Sequence, residues 1–207
     1  MARYKDAKCR LCRREGAKLF LKASRCSSLK CPLEKKGAVP PGQHGIKSHR
    51  RPSNFGRQLR EKQKAKRLYG ILERQFKAYF NKALKQKEGT GGALLQLLET
   101  RLDNVVYRLG LVPSRSVARQ LISHGHVLVN NRKVNISSYQ LKPDQIISLS
   151  PKGLKNDLVK QSLKEKSIKI PVWLSKKAAV GKVLKMPARD EIEVEIDEEL
   201  IVEFYSR

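Results

Sequence analysis

From Ser53 to Gly125 the apolar residues of this chain recur every three or four positions, and beyond it they recur every two. A period near 3.6 is that of a helix with one buried side, and a period of two is that of a half-buried strand. The fold class is therefore α+β. A helical region opens at Ser53, with Leu68, Leu72, Phe76, Tyr79, Phe80 and Ala83 along one stripe and Lys62, Lys64, Lys66, Arg67, Arg74 and Lys77 around it. Gly70 divides it in two, and Gly89-Thr90-Gly91-Gly92 ends it. The aromatics at this spacing are read as core, not as a base-stacking platform. A further helix carries Leu94, Leu98, Leu102, Val105, Val106 and Leu109 and stops at Gly110-Leu111-Val112-Pro113. Ser114 caps a shorter helix that turns Val117, Ala118, Leu121 and Ile122 inward and closes at Gly125.

Beyond Gly125 the strands are short. Val127-Leu128-Val129 and Lys133-Val134-Asn135 form a hairpin around Asn130-Asn131, since Asn tolerates the positive φ of such turns. Pro143-Asp144 turns the chain into a strand over 146–149, and further strands are expected over 168–174 and 191–196, the last with one wet acidic face.

Before Ser53 there is little periodicity, and Gly37–Gly42 reads as a linker or tight turn. All four cysteines lie there, as Cys9-x2-Cys12-x13-Cys26-x4-Cys31. Two short-spaced pairs joined by a loop can place four sulfurs around a tetrahedral structural zinc, and four thiolates can equally take an iron–sulfur cluster. Neighbouring cations favour the thiolate that either metal needs. A filled thiolate shell leaves no position for catalytic water, so the metal would stabilise a segment too charged to fold by burial alone.

Charge decides the class of partner. Lys and Arg number 45 against 19 Asp and Glu, a formal +26, while solubility asks for only about 2–8. Residues 1–189 carry +33 and the remainder −7. Such an excess calls for a polyanion, and nucleic acid releases condensed counterions as its phosphates are neutralised. One basic surface is expected between Arg101, itself a candidate RNA contact, and Lys133, where Arg108, Ser114, Arg115, Arg119, Gln120, His124, Asn131, Arg132 and Lys133 are left for solvent. Another is the loop Gly42–Arg51, with His44, Lys47, His49, Arg50 and Arg51. Arg3, Arg10, Arg13, Arg14, Lys22, Lys30, Lys35 and Lys36 extend it toward the start, and Arg57, Lys62, Lys64, Lys66, Arg67 and Arg74 extend it into the helices. Few aromatics accompany these cations, which favours reading the shape of folded RNA over stacking on splayed bases. The acidic end suits a protein contact.

The chain has no Walker-type loop, dinucleotide fingerprint or HExxH, and is read as no enzyme. An RNA-modifying enzyme would need roughly 200 further residues of catalytic domain. A free RNA-binding regulator is the other alternative. No stretch approaches the ~18 apolar residues of a membrane span, and the start lacks a signal-peptide core, so a cytoplasmic location is expected.

Five runs carry a resemblance: MARY at the start, RREG at 13–16, PGQHG at 41–45, FGRQLREKQKAKRLYGILERQF at 55–76 and LLQLLETRLDNVVYRLGLVPSRSVARQLISHGHVLVNNRKVNI at 94–136. Together they resemble the ribosomal protein S-four family of the bacterial small subunit, over essentially the whole chain. The resemblance implies a four-cysteine metal-binding segment at 1–50 and a helical domain at 51–92 completed by 176–207. It also implies a small inserted RNA-binding module at 93–175, of two helices, a hairpin and short antiparallel strands, shared with some pseudouridine synthases and with tyrosyl-tRNA synthetase. It implies early binding of small-subunit (16S) ribosomal RNA at a multi-helix junction, nucleating assembly of the subunit body as a monomer within the ribosome. Proteins S-five and S-twelve would share an influence on decoding accuracy. S-three and S-five would share the channel by which messenger RNA enters, near the loop of Lys47, Arg50 and Arg51. Asn130-Asn131 and Pro143-Asp144 stand where the family often has Gly second, at some cost in turn stability.

Overall fold

A computed structural model of the chain describes residues 4–47, 51–86, 89–164 and 169–206. It forms two units, Met1–Gly91 with Glu195–Arg207, and Gly92–Val194.

In the first unit the segment of little periodicity contains three short helices, α1 (Cys9–Glu15), α2 (Ala23–Ser27) and α3 (Pro32–Lys36). They are too short for an apolar stripe to show. α4 (Asn54–Leu68) begins where expected, the Ser53 hydroxyl accepting from the Gly56 N–H at 3.1 Å. Gly70, at φ 61°, turns the chain into α5 (Glu73–Ala83), whose Phe76, Tyr79, Phe80 and Ala83 are buried. These aromatics are core. α11 (Glu198–Tyr205) packs along α4, capped by Asp197, and sets Tyr205 4.6 Å from the Phe80 ring and 6.2 Å from that of Phe76. A side chain at Gly91 would run into Glu198.

The second unit is a helical pair on a sheet. α6 (Thr90–Glu99) leads into it from the first unit, starting inside the glycine cluster expected to be a break. The single helix expected through 94–109 is two, because Arg101 is extended (ψ 138°) between α6 and α7 (Leu102–Arg108). The Leu102 N–H donates to the Tyr139 carbonyl at 2.9 Å, so a neighbouring segment takes the bond that would have continued the helix. α8 (Arg115–Ser123) follows, its Ser114 hydroxyl accepting from the Val117 N–H, and Gly125 closes it at φ 71°.

The sheet contains β1 (Val127–Val129), β2 (Arg132–Lys133), β3 (Ile146–Leu149), β4 (Leu174–Lys177) and β5 (Val180–Val183), all antiparallel in the order β2-β1-β3-β5-β4. Val127, Val129, Ile147, Leu149 and Val183 point from it into a core with Leu102, Val105, Val106, Leu109, Ala118, Ile122 and Trp173. A side chain at Gly181 would collide with Leu109, so the sheet meets α7 only because that residue is Gly. Two short helices, α9 (Pro151–Leu154) and α10 (Asp157–Lys164), connect β3 toward β4.

Four expectations are corrected here. The second hairpin strand is Arg132–Lys133, not 133–135. The strand expected over 168–174 begins only at Leu174, residue 168 lying outside the described part. The segment 191–196 is no strand: a 3-10 turn, Arg189–Glu191, leads into extended chain without ladder partners. Its alternation is genuine, with Ile192 and Ile196 buried and Glu193 and Glu195 exposed, but burial of every second residue does not require a neighbouring strand. The return to the first unit comes at Glu195 and not at 176, because β4 and β5 belong to the second unit's sheet. No described helix is long and apolar enough to cross a membrane.

Candidate nucleic-acid interface

In the second unit, α7 and α8 pack around an ionic network. The Arg101 guanidinium grips Asp103 with two bonds, Nε to Oδ1 at 3.0 Å and Nη2 to Oδ2 at 2.8 Å. From α8, Arg119 Nε reaches the same Oδ2 at 2.5 Å. Glu99 takes both bonds of Arg108, at 3.0 and 2.8 Å, and accepts from the Asn104 amide at 2.7 Å. The Asn104 side-chain Oδ1 accepts from Arg115 Nε at 2.7 Å, and the Arg115 guanidinium lies 4.5 Å from the Tyr107 ring centroid. Both carboxylates are only 1% exposed, and three guanidinium groups contact the two of them. Such a cluster fixes long side chains at defined places and keeps a positive excess beneath the surface, a preorganised attraction for anions.

The expectation that all these residues are left for solvent is corrected. Arg101, Arg115 and Ser114 are buried, since Asp103, Asn104 and the α8 cap consume their polar atoms, while the Arg108 and Arg119 side chains keep 19% and 13% of their surface. Gln120, His124, Asn131, Arg132 and Lys133 are exposed. Asn130 and Asn131 adopt φ 47° and 62°, and Asp144 adopts 64°, so these turns use the left-handed region without glycine. Lys133 lies over Gly125, where a Cβ would strike it. Glu99, Asp103, Asn104 and Tyr107 escaped the sequence reading. Their signal was a set of polar residues at 99, 103 and 104 embedded among apolar positions, where they must be satisfied internally.

In the first unit, Arg10, Arg14, Lys22, Lys30, Lys35, Lys36, His44, Lys47, Arg51, Arg57 and Arg74 are exposed. Others are engaged internally. Arg13 donates to the carbonyls of Val39 and Pro40, at 2.8 and 3.1 Å, and clasps the Gly37–Gly42 turn. Arg67 and Arg60 close on Glu15, and Lys64 pairs with Glu61 at 3.5 Å. Lys62, expected at the surface, is buried: its ammonium sits 4.4 Å from the Phe204 ring centroid and 2.8 Å from Glu73. Burial pushes the Glu73 carboxyl up, but hydrogen bonds from Lys62, Tyr205 and Lys66 outweigh it and hold it at about 2. Arg3, His49 and Arg50 lie outside the described residues.

The cysteines are distributed over α1 (Cys9, Cys12), α2 (Cys26) and the residue before α3 (Cys31), all as free thiols. The Lys22 N–H donates to the Cys26 sulfur at 3.2 Å. Burial raises the Cys12 thiol, a backbone hydrogen bond at Leu19 opposes it, and Cys26, Cys9 and Cys31 raise it further. The direction is opposite to the thiolate expected from neighbouring cations, because burial outweighs them at Cys12, while four sulfurs remain a donor set of the type a thiophilic ion takes. Among the described residues no group of three or more His, Cys, Asp or Glu side chains is arranged to hold a metal ion.

Residues 3–99 match the family model described as ribosomal protein S4/S9 N-terminal domain, and residues 100–147 match the S4 domain. The chain is 53% identical over 210 residues to small ribosomal subunit protein uS4 of Dictyoglomus turgidum. It is 51% identical over 209 residues to protein uS4A of Symbiobacterium thermophilum, and 50% over 210 to uS4 of Thermus thermophilus. Each alignment covers 100% of both chains.

Proposed function

The chain belongs to the uS4 family of small ribosomal subunit proteins, and from that premise we propose that it binds small-subunit ribosomal RNA early and nucleates assembly of the subunit body. It is a structural, RNA-binding ribosomal constituent and not an enzyme. The observation that carries the reading is full-length identity of half or more to proteins of that name, joined to exposed cations on both units. As part of a ribosome it works in the cytoplasm.

The mechanism is electrostatic and geometric. Folded RNA presents phosphates at fixed places, and Arg108 and Arg119, braced by Glu99 and Asp103, offer cations that lose little freedom on binding. Gln120, His124 and the Asn130–Arg132 turn add polar contacts beside them. In the first unit, Lys47 and Arg51 border the segment that would meet incoming messenger RNA. Protein S-five, with S-three at that channel and S-twelve in decoding accuracy, completes the partners in this reading, and the acidic stretch from Asp190 is the surface suited to a basic one. Sedimentation of a cell extract on a sucrose gradient tests the core of the proposal. The protein is expected one-to-one with small subunits; recovery mainly at the top of the gradient, unattached, would rule it out.

The same proposal includes a structural zinc held by Cys9, Cys12, Cys26 and Cys31, with an iron–sulfur cluster as the alternative. The residue types and their spacing support it. The metal would cross-link helices that bury too little to hold themselves. Elemental analysis is expected to find one zinc per chain without visible absorption, lost in Cys26→Ser. Brown, iron-containing protein would exchange the metal, and metal-free protein purified with zinc present would remove it.

A further inference from the structure

The sheet of the second unit has one face in the core and one outside it. Cross-strand partners share a face, so the pairs Leu128–Lys133, Leu128–Ser148, Ile146–Lys182, Ser175–Lys182 and Lys177–Val180 all lie opposite the buried Val127, Ile147, Leu149 and Val183. This outer face is open: Ile146 and Val180 keep 44% and 42% of their surface, and Lys133 and Lys177 are exposed. The paired residues that make it up include three lysines and no carboxylate. Lys182 touches Asp144 at 2.8 Å beyond the strand end, but both side chains are well exposed, and such a pair is easily exchanged.

The surrounding sequence is one-sided as well. From Lys133 to Ala188 there are twelve lysines, three acids and no arginine. This contrasts with the α7–α8 side, where the cations of the network are arginines, Arg101 and Arg108 each gripping a carboxylate with two bonds. Lysine is a compact charge on a mobile stem, suited to a phosphate chain wherever its oxygens fall. Protein interfaces are depleted in lysine and enriched in aromatics, and this face has the reverse composition. Lys133 joins it to the turn and the α8 end, because its stem crosses Gly125.

We propose that this outer sheet face, through Lys133, Lys177 and Lys182, is a second contact surface for the ribosomal RNA backbone. It lies largely beyond the matched S4 domain, which ends at residue 147. The inference rests on the RNA-binding reading above. Its contacts are register-tolerant, so they add affinity and salt sensitivity with little selection among RNA shapes.

Full-length protein and a naked small-subunit ribosomal RNA transcript, titrated by filter binding over a series of salt concentrations, test it. The double variant Lys177→Gln with Lys182→Gln is expected to bind roughly ten-fold more weakly at moderate salt, with a slope of log affinity against log salt shallower by about two contacts. Arginine at both positions restores the slope, and Val180→Glu, which adds a repelling charge without removing a lysine, weakens binding. An unchanged slope and affinity in the glutamine variant overturns the proposal. So does normal RNA binding combined with failure to join subunits, which would assign the face to a protein. If the unaltered protein fails to bind the transcript, the reading of the whole protein falls instead.

Discussion

Asp103→Ala is expected to destabilise the second unit by about 3–5 kcal/mol, the cost of breaking a buried pair by removing one partner. The carboxylate is 1% exposed and receives Arg101, which is fully buried, and Arg119. Without it two guanidinium groups lose the carboxylate they share, and Arg101 cannot swing to water without opening the core. For a unit of about a hundred residues the melting temperature should fall by roughly 15 °C or more. Asp103→Asn keeps the shape and an acceptor but loses the charge, and should fall between. Replacing Arg101 by Met together with Asp103 by Leu removes both buried charges, leaves Arg119 near enough to the surface to hydrate, and should recover much of the loss. Urea denaturation followed by circular dichroism measures all three. An alanine variant within about 1 kcal/mol of the parent would mean that water already reaches Arg101 and that the network is ornamental to folding.

The same residues mark how far the sequence could be read. Ser53, Gly70, Ser114, Gly125 and the Asn130-Asn131 turn were legible because caps and turns are local chemistry, and the structure uses each as expected. The break at Arg101 was not, because the apolar stripe runs on through it; backbone bonds to a segment almost forty positions away, Leu102 to Tyr139 and Asp103 to Ser137 among them, make an extended residue there preferable. Residues 191–196 show the converse. Their alternation reports burial correctly, but pairing is decided by what lies alongside, which no local pattern contains. At the interface, net charge identified the polyanion while leaving open which cations are used internally. Arg101, Arg115 and Lys62 looked like any other surface cation until their carboxylate, amide and aromatic partners were located. Lys177 and Lys182 of the outer sheet face carry no local signal for a related reason: strand register, not spacing along the chain, brings them to the side of Lys133.

Affinity for ribosomal RNA is expected to fall by roughly 10³–10⁵ between 50 and 200 mM salt, the loss that about six to ten neutralised phosphates imply. Exposed cations suffice for that number on either unit's surface. The slope counts contacts irrespective of shape, so an unstructured polyanion such as poly(U) should show a slope of similar size. Shape recognition resides in the remainder, extrapolated to high salt, where counterion release no longer contributes. There the folded junction should retain an advantage, because the guanidinium groups braced by Glu99 and Asp103 can meet phosphates only in the arrangement they already hold. Filter binding of both RNAs across the same salt range separates the two contributions. A slope of fewer than about two contacts would contradict electrostatic clamping outright. Equal intercepts for the two RNAs would instead show that the basic surface takes any polyanion and that the rigid network confers no discrimination.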